Sequence, residues 1–102
     1  MTTPAPVAAI IYLDIDDEIT TAATRMRTLP ERRLAIVLPG GSRVATSRIN
    51  FRLLAREATT RDRELAIVTP EAATRALAAS AGLPVYASVA EFAVGVAGVF
   101  GA

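Results

Sequence analysis

Three short apolar runs that do not alternate set what this chain can fold into. Residues 7–15 (VAAIIYLDI) are apolar up to Asp14 and β-branched at several positions, and residues 34–38 (LAIVL) and 65–68 (LAIV) follow the same pattern. A strand with one wet face alternates apolar and polar residues. A strand covered on both faces does not, so these runs read as strands of a parallel sheet. Between them the apolar spacing changes to that of a helix.

The spacing predicts four β-α units. Asp16 or Asp17 caps a first helix running to about Leu29, with Ile19, Ala22, Ala23 and Met26 on its inner side and Pro30 ending it. Pro39-Gly40-Gly41-Ser42 turns into a long helix over residues 43–60, with Ala45, Ile49 and Leu53 on one side. Thr69 caps a third helix, with Pro70 at its first position and Gly82 as its stop. Residues 84–87 (PVYA) form a short edge strand that opens on proline. Ser88 and Glu91 form a capping box for a last helix over residues 89–102. Residues 1–6 read as a flexible arm and residues 7–102 as a single α/β domain. The expected architecture is an open, parallel four-stranded sheet of flavodoxin or Rossmann type with helices on both faces. The first strand is the most apolar, which favours a central place for it and the order 2-1-3-4.

Composition narrows the chemistry. The 102 residues suit one core, and the net charge of +1 gives no global pull towards nucleic acid. Neither Cys nor His occurs, which removes thiolate chemistry and the commonest general base and transition-metal ligand. The eleven basic residues are all arginine, so Schiff-base and P-loop lysine chemistry are excluded. The N-terminus lacks the positive flank of a secretory signal and no apolar stretch reaches the ~20 residues of a membrane span, so the expected location is cytoplasmic.

Ligands of open α/β sheets sit beyond the carboxyl ends of the strands, at the point where strand order reverses. The loops there carry three candidates. Asp14, Asp16 and Asp17 are a candidate metal site, because Asp14 and Asp16 share one side of an extended chain and a Mg²⁺ ion would relieve their repulsion. Their plainer role is to cap and start the first helix, with Glu18 in its first turn. Gly40, Gly41, Ser42 and Arg43 are a candidate anion site, since glycines ahead of a helix expose backbone N–H groups. Arg48, Arg52 and Arg56 form a helical stripe beside Phe51, most simply a solvated face. The last helix has no polar face after Glu91, which points to an interface at Phe92, Val96, Val99 and Phe100.

The segment Asp14-Ile15-Asp16-Asp17-Glu18-Ile19-Thr20 resembles the first motif of haloacid-dehalogenase-type phosphatases. That resemblance implies Asp14 as nucleophile, Asp16 as acid/base, and Thr69 or Ser42 as the strand-end hydroxyl. The chain departs from the motif in having no lysine, no second acidic pair after a later strand, and Asp17-Glu18 where a small residue or Thr is expected. Receiver domains are a weaker comparison, because the third strand ends in Thr69-Pro70 instead of a phosphoacceptor Asp. Over residues 7–92, the runs IIYLDIDDEITTAATRMR, LAIVLPGGSRVATSRINFRLLAREA and ELAIVTPEAATRALAASAGLPVYASVAEF resemble a small α/β domain. That domain stands at the N-termini of large, uncharacterised bacterial proteins, some with phage-baseplate-like regions beyond a membrane segment. The resemblance implies a cytoplasmic interaction or sensor module and supplies no catalytic residues. The expectation is therefore a non-catalytic module that self-associates or docks a protein partner through its last helix and needs no cofactor. Mg²⁺-dependent phosphoryl transfer and phosphate or nucleotide sensing at the glycine turn are the alternatives.

Overall fold

In the computed structural model the backbone of residues 8–100 and the side chains of residues 8–95 are described. The expected arm, residues 101–102 and the side chains of Val96, Val99 and Phe100 lie outside that range. The chain runs β1 (Ala8–Tyr12), α1 (Ile19–Thr28), β2 (Arg33–Val37), a 3-10 turn (Arg43–Thr46), α2 (Arg48–Thr60), β3 (Glu64–Val68), α3 (Ala72–Ser80), β4 (Val85–Tyr86) and α4 (Val89–Phe100). All three strand pairings are parallel, with Ile11 beside Ile36, Leu34 beside Leu65 and Ile67 beside Val85.

The strand order is β1-β2-β3-β4, which corrects the expected 2-1-3-4. Every crossover steps in the same direction, and right-handed crossovers that do so lay their helices on one face. That face is the main core. Ala22 and Met26 of α1, Phe51, Leu54 and Ala58 of α2, and Ala78 of α3 pack on Ile11, Leu34, Ile36, Leu65 and Ile67. The opposite face is smaller and is covered by α4, whose Phe92 rests on Ala35, Ala66 and Val68. β1 is therefore an edge strand despite its apolar sequence, and on the α4 side Ile10 is 36% and Tyr12 62% exposed. Arg25 blunts the bare edge by donating to the Tyr12 carbonyl at 2.7 Å.

Several local expectations shift. The helix expected over residues 43–60 breaks at Ser47, which is extended and accepts from the Ile49 amide at 3.2 Å. The buried side of α2 is Phe51, Leu54 and Ala58, whereas Ile49 (64%) and Leu53 (49%) are exposed. α1 starts after Glu18, not at an Asp cap, and α3 starts after Glu71. Two helix ends close in the same way, at the expected Gly82 and at Asp62, which was not among the expected stops. Gly82 (φ 90°) and Asp62 (φ 55°) take the left-handed position, and the next residues, Leu83 and Arg63, donate back to Ala78 and Ala58.

Candidate functional site

The strand order removes the expected crevice. A sheet whose order never reverses has no switch point, so nothing splays the carboxyl-end loops apart. Their polar groups close on one another instead. Asp17 Oδ2 accepts from the Asp14 amide at 2.7 Å, and the Asp17 amide donates to the Asp14 carbonyl at 3.1 Å. The Asp17 carboxylate thus stitches its own loop where a helix cap was expected. It also lies 3.8 Å from Arg25, while Glu18 lies 3.6 Å from Arg43. Among the described residues no group of three acidic side chains is placed to hold a metal ion.

The glycine turn does meet an anion, but an internal one. Glu71, at the start of α3, accepts from the Gly41 amide at 2.8 Å. Gly40 admits this approach, since a Cβ there would stand 3.2 Å from Glu71 Oε1, and Gly41 needs its φ of 76°. Ser42 is buried and caps the 3-10 turn through the Val44 amide, and the Arg43 amide donates to the Ile15 carbonyl. Thr69 is fully buried, with its hydroxyl accepting from the Glu71 amide. A charge-assisted bond at a surface position is worth about 1 kcal/mol, so Glu71→Ala should lower stability by about that amount in a urea titration. No change would mean that water serves the Gly41 amide equally well.

On α2, Arg48, Arg52 and Arg56 are exposed, whereas Phe51 is fully buried in the core. The ordered ion pairing lies next to this stripe. Glu57 accepts from Arg27 at 2.6 Å and from Arg61 at 3.0 Å. The Arg27 hydrogen bond holds the Glu57 carboxyl below its usual range, with partial burial opposing and Arg61 adding. A carboxyl depressed on folding stabilises the fold above the unfolded value of about 4.3, and that contribution is lost as pH falls through the folded value. The stability gap between the native chain and Glu57→Gln should accordingly shrink on acidification below about pH 4.5. A gap independent of pH would contradict the pairing.

α4 begins at the expected Ser88 and Glu91, with the return bond of the capping box shifted by one residue to Ala87. The Glu91 amide donates to Ser88 Oγ at 3.2 Å, and Glu91 Oε2 accepts from the Ala87 amide at 2.9 Å. Phe92 turns inward and meets Tyr86 edge to face at 5.7 Å. Gly95 lets the helix settle on Tyr86, where a Cβ would lie 3.1 Å from the phenol oxygen. Of the expected interface residues, Phe92 thus belongs to the core, while Ala90, Ala93 and Val94 (72% exposed) face outward. Among the described residues no helix is long and apolar enough to cross a membrane.

A sizeable hollow among the described residues lies at the opposite end of the sheet from the expected loops. A cleft of about 430 Å³ opens at the amino ends of β3 and β4, beneath α4 and the C-terminal end of α2. It exists because β4 has two residues against five in β3, and therefore leaves the first half of that strand uncovered. Leu65, Tyr86 and Gly95 line it, and none of them was singled out in the sequence. The available signal was Pro84, which marks where β4 must start. Comparison with known proteins finds no matching family model, no matching curated protein and no matching solved structure.

Proposed function

We propose that this chain is a non-catalytic interaction module that associates with a second copy of itself through α4. The carrying observation is Val94, 72% exposed on a helix that has no charged residue after Glu91 and whose inward side is already taken by Phe92 and Gly95. An outward apolar helix side, together with the partly uncovered Ile10 and Tyr12 elsewhere on that sheet face, is the kind of surface that association hides from water. The resemblance of residues 7–92 to a module at the front of larger bacterial proteins points the same way. The alternatives are less well supported, because Asp17 and the Gly41 amide already have partners within the fold. Light scattering over a wide concentration series tests the reading. The native chain is expected to gain mass with concentration, and Val94→Glu to stay monomeric with an unchanged circular-dichroism spectrum. A native chain that remains monomeric throughout overturns it.

A further inference from the structure

We propose that the cleft at the amino ends of β3 and β4 binds a small, flat, uncharged heterocycle whose lactam-type edge pairs with the main chain of Leu65. The argument starts from the alternation of backbone groups along β3. Glu64 donates to the Arg32 carbonyl and Val68 accepts from the Leu38 amide, so even-numbered residues address β2. Ile67 donates to the Pro84 carbonyl and Thr69 to the Tyr86 carbonyl, so odd-numbered residues address β4. Leu65 therefore turns its N–H and C=O towards β4, where no β4 residue stands opposite. Pro84 occupies the nearest place and carries no N–H to offer. The bonds that Ile67 and Thr69 make to Pro84 and Tyr86 have no counterpart between Leu65 and the described residues before β4, although Leu65 is only 4% exposed. Buried main-chain groups are nearly always paired, and an unmatched donor–acceptor set at the floor of a hollow is a place for a ligand.

The surroundings define the ligand. The free stretch is one residue long, because Ile67 and Thr69 are already bonded and the Arg63 amide donates to Ala58 in the turn after α2. That is too short to take up an added peptide strand, which needs a row of such groups. It does match one N–H beside one C=O on a ring. The volume of about 430 Å³ lies within the range of small-molecule sites, and Leu83, Tyr86 and Phe92 give apolar walls. The charges at the rim are satisfied within the protein. Arg33 pairs with Glu64 at 2.7 Å, and Arg63 donates to the carbonyls of Leu29 and Glu31. A charged ligand would have to break those contacts, whereas a neutral one would not.

The test is a titration of the ¹⁵N-labelled chain with uracil and 2-pyridone, read at the Leu65 amide resonance. 1,3-Dimethyluracil, which keeps its carbonyls but has no N–H, is the control. The expected result is a saturable downfield shift with the two lactams and binding about tenfold weaker for the dimethyl compound, the usual worth of one hydrogen bond to a buried group. A Leu65 amide that moves with neither lactam overturns the proposal, as does an equal response to the dimethyl compound. Thr59→Trp places a large ring at an exposed rim position of the cleft. It should abolish the response while leaving the remaining spectrum folded. An undiminished response in that variant also overturns the assignment.

Discussion

Replacing Phe51 by alanine should lower the urea midpoint of unfolding by about 2 M, which corresponds to a loss of about 3–5 kcal/mol. Phe51 is the largest fully buried side chain of the protein's core. It sits on α2, the helix that touches α1, α3 and β3, so its ring lies where most of the main layer meets. Deleting it removes the transfer energy of the ring and leaves a cavity that neighbours on three elements cannot jointly fill. For a domain of this size the melting temperature should fall by roughly 15 °C or more. Ile49→Ala, two positions away on the exposed side of the same helix, should change stability by only about 0.5 kcal/mol. Comparable losses at the two positions would refute the helix register described above.

The second large effect is expected at Arg63. Its Nη1 donates to the carbonyls of Leu29 and Glu31, with Met26 at 3.5 Å. Those acceptors mark the end of α1 and the path into β2, so a single guanidinium closes the C-terminus of one helix from the start of β3. Charge-assisted bonds of this kind are worth more than neutral ones, and the site is partly buried, so Arg63→Met should cost about 2–4 kcal/mol. The positive charge also complements the helix end. Arg63→Lys should recover only part of the loss, because the shorter lysine side chain stops its ammonium short of the place that Nη1 occupies among these acceptors. Urea titrations of both variants check the order. Full rescue by lysine would show that charge alone matters.

Much of the architecture was legible because each β-α unit announces itself locally. LAIVL and LAIV are short, β-branched and flanked by turn residues, which favours buried strands, Gly82 has the backbone freedom a helix stop requires, and Ser88 with Glu91 marks a helix start. What the sequence could not convey was the relation between units. Ala8–Tyr12 are as apolar in an edge strand as they would be in a central one, since residue type reports burial of a face and not the neighbour in the sheet. The register of α2 failed for a similar reason. Ile49 and Leu53 share helical spacing just as Phe51, Leu54 and Ala58 do, and only packing chooses between the two sets. At the glycine turn the chemistry was legible and the partner was not. An exposed amide was expected to take an anion, and it takes Glu71, thirty residues further on.

The strand order has a consequence for how this protein comes together. Each strand pairs only with the strand before and after it in the chain, so no strand has to enter between two that are already joined. Loop closure between neighbouring units is short, and the entropy lost on each addition is regained at once by pairing and by one more helix on the same layer. The chain can therefore be laid down in the order in which it is synthesised, β1 with α1 first and β4 last. Each new unit docks on an edge that is already waiting, much as repeats are added along a solenoid.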